Sequence, residues 1–174
     1  MQKRNYQREL EGIISENDSS GMPRTLLLPS CCAPCSSYVL EYLSQHFLIT
    51  DFFYNPNIEP AEEYRHRADT LKSFIDRYPS KYPVHYIEGA YEPDRYRGCI
   101  AGLEDEPEGG LRCEKCFWLR LGETAKLAAD GPYDFFTTTL TISPHKNAKL
   151  INDIGEQLSR ETGAEWMYSD FKKK

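Results

Sequence analysis

Short apolar runs alternate with stretches of helical periodicity along this chain of 174 residues, and this alternation restricts its possible folds more than any other feature. Runs rich in leucine, β-branched and aromatic residues predict strands at residues 25–28, 50–54, 82–87, 134–142 and 165–168. Apolar residues three and four positions apart predict helices at residues 38–47, 64–78, 117–128 and 150–158. Strands that alternate with helices form parallel sheets covered on both faces. We therefore predict a doubly wound α/β fold, in which a mostly parallel sheet lies between two helical layers.

The length of the chain fits one domain. Residues 1–24 are polar and charged, and we interpret them as an N-terminal extension of a single α/β domain at residues 25–174. They contain no apolar run typical of a signal peptide, and the longest uncharged stretch, residues 25–40, holds two prolines and is too short to span a membrane. These features predict a cytoplasmic protein without a membrane partner. Residues 88–111, rich in glycine, proline and charge, predict a long functional loop.

Charge limits the ways in which this chain can contact nucleic acid. The sequence has 27 acidic and 21 basic side chains, which give a formal net charge of −6. This balance argues against a broad electrostatic grip on nucleic acid, although it is compatible with a local basic patch.

Five of the six cysteines fall into two groups that the predicted fold brings to one edge. Cys31, Cys32 and Cys35 follow the first predicted strand, whereas Cys113 and Cys116 follow the long predicted loop. In doubly wound folds, ligands bind beyond the carboxyl ends of the strands, where both groups are expected. A helix begins near each group, and a helix N-terminus lowers thiol pKa values and stabilises thiolates. The five thiols are therefore predicted to converge on one site.

The residue types leave three interpretations of this site open. Four thiolates hold either an iron–sulfur cluster or a structural zinc ion. The long segment between the two groups and the vicinal pair Cys31 and Cys32 are unusual for a zinc ribbon and favour the cluster. A thioredoxin-like motif from Cys32 to Cys35, with Pro144 as a cis-proline, explains two thiols and leaves three unexplained. Cys99 stands apart and is interpreted as an unpartnered loop thiol.

Eight short blocks of sequence carry a family resemblance. They are Cys-Cys-Ala-Pro-Cys-Ser at 31–36, Phe-Tyr-Asn-Pro-Asn-Ile at 53–58, Gly-Leu-Glu at 102–104, Pro-Glu-Gly-Gly-Leu-Arg-Cys-Glu-Lys-Cys-Phe at 107–117, Arg-Leu at 120–121, Thr-Thr-Leu at 138–140, Ser-Pro-His-Lys at 143–146 and Asp-Phe-Lys-Lys-Lys at 170–174. In this order they resemble the cobalamin-independent epoxyqueuosine reductases, the QueH family. Because the blocks run in register from about residue 26 to the last residue, the resemblance is far more specific than any single motif.

The resemblance implies a fold, an activity and a set of cofactors. The family is similar to the adenine-nucleotide α-hydrolase-like α/β proteins, and its members reduce epoxyqueuosine to queuosine with a 4Fe–4S cluster. Carried onto the matching positions, Cys31, Cys32, Cys113 and Cys116 are implied to be the cluster ligands. Cys35, where relatives carry aspartate, is implied to bind an additional mononuclear metal ion, expected to be iron, and to take part in catalysis.

The implied partner is a tRNA with epoxyqueuosine at its wobble position, and the electron donor is not specified. An anticodon loop is single-stranded, so its wobble base can be splayed out and stacked by the protein. Arg112 and Lys146 lie in blocks that match the family and are the expected substrate-binding residues. His145 and Tyr54 are candidate proton donors near the strand ends.

The end of the chain departs from the family pattern. Family chains that share the block at residues 170–174 look as if they continue for a few tens of residues to a Cys-Gly-Cys pair, whereas this sequence ends at Lys174. We therefore expect a truncated form that lacks a redox-active cysteine pair.

The main alternative function is a zinc-thiolate structural or binding module without catalysis. The identity of the bound metal distinguishes this module from an iron–sulfur reductase.

Overall fold

A computed structural model describes residues 3–173 of the chain. The last residue of the sequence block at 170–174 therefore lies outside the described residues. The helices are α1 Tyr6–Ser19, α2 Ala33–Leu43, α3 Ala61–Arg77, α4 Pro93–Cys99, α5 Leu111–Asp130 and α6 Ala148–Thr162. The strands are β1 Thr25–Pro29, β2 Leu48–Phe53, β3 His85–Glu88 and β4 Phe135–Phe136. The strands form one sheet in the order β3-β2-β1-β4, and every pairing is parallel.

The two faces of β1 belong to two separate layers of the core. Leu26 and Leu28 point to one face and pack in a cluster with apolar residues of α1, α2 and α3. Leu27 points to the other face and packs with apolar residues of α5 and α6. Successive side chains of a strand alternate between the faces of the sheet, so a fully apolar strand such as β1 requires cover on both. The predicted three-layer α/β fold is confirmed.

The strand predicted at residues 134–142 is much shorter in the structure. β4 ends at Phe136, although the N–H groups of Thr137 and Thr139 still donate to the carbonyls of Leu27 and Pro29, at 3.2 and 3.4 Å. The Thr137 hydroxyl donates to the Met167 carbonyl at 2.7 Å, and the chain then turns into a 3₁₀ helix at Leu140–Ile142. Threonine hydroxyls that bond to backbone groups favour such turns over a regular strand.

Two further segments differ from the sequence-based expectation. The strand predicted at residues 165–168 is reduced to one parallel bridge between Phe136 and Trp166. The loop predicted at residues 88–111 contains α4, which begins at a proline and spans seven residues. None of the described helices combines the length and the hydropathy that crossing a membrane would require.

The packing of α6 on Trp166 gives a test of the fold. A Cβ atom added to Gly155 would lie 2.2 Å from the indole ring, and the ring is fixed because its Nε1–H donates to Asn152 Oδ1 at 3.0 Å. We expect Gly155→Ala to lower the free energy of unfolding by about 1–3 kcal/mol or more through overpacking. Gly122→Ala in α5 meets no atom within 4 Å and is the control, with an expected gain of up to about 1 kcal/mol from helix propensity. Urea unfolding measures both, and equal stabilities for the two variants would contradict this packing.

Candidate metal centre

The first cysteine group begins where the pairing of β1 ends. Ser30 extends the ladder by one residue, because its N–H donates to the Phe52 carbonyl at 3.1 Å. Cys32 is then the N-cap of α2, and Pro34 lies in the first turn, where its missing N–H costs no helical hydrogen bond. The chain therefore passes from strand to helix within a few residues, with the thiols at the positive end of α2.

Three thiols meet in this segment. The sulfur atoms of Cys31, Cys32 and Cys35 all lie within 4.8 Å of one another, and those of Cys31 and Cys32 are 3.9 Å apart. Within residues 3–173, this is the one group of three or more cysteine, histidine or acidic side chains that meets this distance. The trio is therefore able to bind a metal ion.

The three thiols differ in acidity. Hydrogen bonds from Cys32 and Cys35 lower the pKa of Cys31, and the positive charges of Arg120 and Lys146 contribute in the same direction. The hydrogen bond to Cys31, together with burial, raises the pKa of both Cys32 and Cys35. Cys31 is thus the most acidic thiol of the trio, because the other two donate hydrogen bonds to it. A metal that binds these sulfurs as thiolates must displace their protons.

The second group lies in the first turns of α5. Cys113 and Cys116 are three residues apart and so share one side of the helix. The Gly109 N–H lies 3.4 Å from Cys113 Sγ, and Gly109 adopts φ = 89°, a conformation that disfavours other residues. Cys113 Sγ also lies 3.6 Å from Glu108 Oε2, whereas Cys116 is buried. Neither thiol belongs to the close trio.

Arg120 connects the two groups. Its Nη1 donates to Cys116 Sγ at 3.8 Å, and its Nη2 donates to Asn55 Oδ1 at 2.8 Å. Asn55 in turn donates from Nδ2 to the Ser30 carbonyl at 2.8 Å. Burial disfavours the charged guanidinium, but the charges of Cys116 and Cys31 and hydrogen bonds to both sulfurs outweigh burial, and the pKa of Arg120 is raised.

A cavity of about 130 Å³ opens beside the second group. Its lining residues are Asn57, Tyr96, Glu108, Arg112, Cys113, Cys116, Phe117, Arg120 and Lys146. Arg112 and Lys146, the substrate-binding residues expected from the sequence, thus lie in the same cavity as two of the cysteines. Lys146 Nζ is 3.2 Å from Glu108 Oε1, and Arg112 donates to the Glu104 carbonyl at 3.1 Å.

Sequence reasoning missed four polar residues that line this cavity: Glu108 and Arg120, described above, and Tyr96 and Asn57. Tyr96 comes from α4, inside the segment predicted as a loop, and Asn57 comes from the turn after β2. Within the described part of the chain, neither the Tyr96 hydroxyl nor the buried Asn57 Oδ1 has a hydrogen-bond partner. Burial, together with the charges of Cys116 and Cys113, raises the pKa of Tyr96. The turn signal around Asn57 was recognisable in the sequence, but nothing local marked either residue as part of this cavity.

The two candidate proton donors, Tyr54 and His145, and the sixth cysteine, Cys99, are not among the residues that line the cavity. Tyr54 donates to Glu92 Oε1 at 3.1 Å and accepts from Arg95 at 3.3 Å, and His145 is exposed. Cys99 is the last residue of α4, with its sulfur 3.6 Å from the Lys115 carbonyl oxygen. The structure therefore brings Tyr96, rather than Tyr54 or His145, to the side of the α5 cysteines.

A buried carboxyl group lies beneath the first group. Asp51, in β2, is fully buried and accepts from the Ser30 hydroxyl at 2.6 Å through Oδ2, while its Oδ1 has no partner among the described residues. Burial raises the pKa of Asp51 to about 7, the hydrogen bond from Ser30 opposes the rise, and the charge of Cys31 adds to it. Asp51 thus has a pKa near neutral pH, and it binds Ser30, the residue that directly precedes the thiol trio.

Comparison with known proteins gives one consistent family. Residues 26–174 match the family model described as "Epoxyqueuosine reductase QueH". A protein of that name from Staphylococcus epidermidis is 44% identical over 176 residues, which cover 99% of this chain and 74% of that protein. Its namesakes from Staphylococcus aureus and Streptococcus pyogenes are 42% and 41% identical, again over 99% of this chain and over 73% and 68% of their own lengths.

The acidity of Asp51 predicts a pH dependence of stability. The pKa of an aspartate in an unfolded chain is about 3.9, so between about pH 4 and pH 7 the native chain holds a proton that the unfolded chain has lost. Stability therefore falls as the pH rises through this window. In the metal-free chain, we expect the stability of Asp51→Asn relative to the unmodified protein to increase by about 2–3 kcal/mol between pH 5 and pH 8.

Urea unfolding at both pH values measures this difference. Asp69→Asn, at an exposed position on α3, is the control and should change little between the two pH values. A stability difference for Asp51→Asn that does not vary with pH would contradict the raised pKa of the buried carboxyl group.

Proposed function

This chain belongs to the epoxyqueuosine reductase QueH family, and from that premise we propose that it reduces epoxyqueuosine at the wobble position of tRNA to queuosine with a 4Fe–4S cluster bound at the candidate metal centre. The enzyme is an oxidoreductase of tRNA modification. The observation that supports the cluster proposal is the hydrogen bond from the buried Arg120 guanidinium to Cys116, together with the effect of its positive charge on the pKa of Cys31.

The donor set fits an iron–sulfur cluster. We propose Cys31, Cys32, Cys113 and Cys116 as its ligands, because thiolates are the protein ligands such clusters take. A cluster with four thiolates carries net negative charge, and the positive charges of Arg120 and Lys146 act on Cys31 from within the site. Cys35 remains as a ligand for an additional mononuclear ion, for which we propose iron, and this gives the third thiol of the trio a separate task.

The reaction requires two electrons and two protons, since the epoxide oxygen leaves as water and a carbon–carbon double bond forms. When bound, the metal centres supply single electrons and a Lewis acid. The chain itself must bind the modified base and deliver protons. Tyr96 lines the cavity, its hydroxyl has no partner within residues 3–173, and burial raises the pKa of this hydroxyl above its ordinary value. We assign to Tyr96 the hydrogen bond to the leaving oxygen.

The substrate tRNA requires positive charge near this cavity. Arg112 and Lys146 supply it, because both line the cavity that also contains Cys113 and Cys116. Lys146 stands 5.7 Å from the centre of the Phe117 ring, which adds an aromatic surface beside the cation. An unstacked base can be held by such aromatic and cationic groups, and neighbouring phosphates can bind to the charges. The net charge of −6 then confines nucleic-acid binding to this region.

Metal analysis tests the cofactor. Protein purified without oxygen should contain about four sulfides and at least about four irons per chain and absorb in the visible range. Cys113→Ala should lose most of the sulfide and iron, whereas Cys99→Ala is the control and should retain them, because Cys99 lies outside both groups. Stoichiometric zinc without sulfide, after anaerobic cluster reconstitution, would contradict the reductase mechanism and leave the zinc-thiolate module.

A single-turnover assay tests the assignment of Tyr96. Cluster-loaded enzyme is mixed with tRNA that contains epoxyqueuosine and with dithionite as reductant, and queuosine is quantified after nuclease digestion. We expect Tyr96→Phe to slow product formation on the order of 10²-fold at unchanged iron content, since general acids contribute 10²–10⁴-fold. Tyr133→Phe, at the amino end of β4, is the matched control and should react normally. A Tyr96→Phe rate equal to that of the unmodified enzyme would rule out this role.

A further inference from the structure

Arg120 is a buried charge that has no carboxylate partner among the described residues. Only 8% of its surface is exposed, and no carboxylate of the described residues lies within ion-pair distance of its guanidinium. An unpaired charge taken out of water costs several kcal/mol, so buried arginines normally face an acid. The compensating groups here are the sulfurs of Cys116 and Cys31, together with the Asn55 oxygen.

The position of the guanidinium is fixed by more than its own contacts. Asn55 is fully buried and uses both ends of its carboxamide, accepting from Arg120 and donating to the Ser30 carbonyl. Ser30 directly precedes the thiol trio, and Arg120 lies one helical turn after Cys116 on α5. The planar guanidinium offers several donors in a rigid fork, so it contacts the Cys116 sulfur and the Asn55 amide at once, which an ammonium group cannot reproduce.

We propose that Arg120 is a positioning residue that supplies the internal counter-charge of the metal centre and thereby raises the reduction potential of the bound cluster. This inference rests on the proposed function, since it concerns the cluster proposed there. Each electron added to a thiolate-bound cluster increases its negative charge. A fixed cation in contact with one of the proposed ligands, Cys116, stabilises the reduced state more than the oxidised state. Because the guanidinium is buried, solvent and salt screen this effect only weakly.

The test distinguishes the effect of the positive charge of Arg120 from the effect of its side-chain geometry. Anaerobically reconstituted Arg120→Gln, Arg120→Lys and unmodified protein are titrated with redox dyes while the cluster is followed by absorbance and electron paramagnetic resonance. Arg160→Gln removes the same charge from the exposed surface of α6 and is the matched control. Iron and sulfide content and the thermal unfolding midpoint of each metal-free variant verify that the fold and the cluster are retained.

The proposal predicts a definite order of potentials. Arg120→Gln should disfavour the reduced cluster at least about tenfold, which equals a shift of about 59 mV to more negative potential for a one-electron couple. Arg120→Lys keeps the charge and should shift the potential by less than half as much, while Arg160→Gln should leave it unchanged. A cluster in Arg120→Gln with the potential of the unmodified protein would overturn the proposal and leave the proposed function intact.

The remaining outcomes are equally decisive. If Arg120→Gln does not fold or does not retain the cluster, Asn55→Asp replaces it. This substitution places a carboxylate against the guanidinium and should shift the potential in the same negative direction; an unchanged potential again overturns the proposal. Unmodified protein that assembles no cluster after reconstitution would overturn the proposed function, and the role of Arg120 with it.

Discussion

The parallel pairing of β1 with β2 and β4 determines where the chemistry of this chain lies. Parallel strands end at the same edge of the sheet, so the segments that follow them meet there. Ser30 follows β1 and Asn55 follows β2, and one hydrogen bond of 2.8 Å joins them. The thiol trio begins at the next residue after Ser30. If the pairing of β1 were shifted by one residue, Leu26 and Leu28 would exchange faces with Leu27, and both core layers would lose their contacts.

The local charge at this edge of the sheet, rather than the net charge of the whole chain, favours binding of the proposed cluster and tRNA. The chain has a net charge of −6, yet Arg112, Arg120 and Lys146 surround two of the cysteines. The two arginines of α4, in contrast, form ion pairs with nearby acidic residues. Arg95 binds Glu92 and Glu123, and Arg97 binds two acids, so their charges are already paired. The structure thus places Arg112, Arg120 and Lys146 beside the thiols, where Lys146 also pairs with Glu108, and uses the arginines of α4 in ion pairs outside the cavity, a distinction that composition alone does not make.

Periodicity predicted most of the fold, because the sheet and the amphipathic helices bury apolar side chains at regular spacing. The cysteine spacing predicted one site for five thiols at the strand ends, and the structure brings three of them within 4.8 Å of one another. α1 was not predicted, since its sequence is mostly polar; it is anchored by Leu10 and Ile14 and by the cap that Asn5 provides. Tyr96 and Asn57 could not be identified as cavity residues either. The role of Tyr96 depends on how α4 packs against α5, and that of Asn57 on the position of the turn after β2, neither of which a local pattern encodes.

Arg120 shows a related limit of sequence reading, and it also explains how the two layers depend on each other. In the sequence it is one charged residue on an amphipathic helix, and only the fold reveals that its side chain is buried. α2 packs on one face of the sheet and α5 on the other, so the cysteines reach the common edge from opposite layers. A metal centre bound by both groups would join the layers at that edge. Binding energy gained there would therefore stabilise the whole fold, because the ligands converge only when both layers are in place.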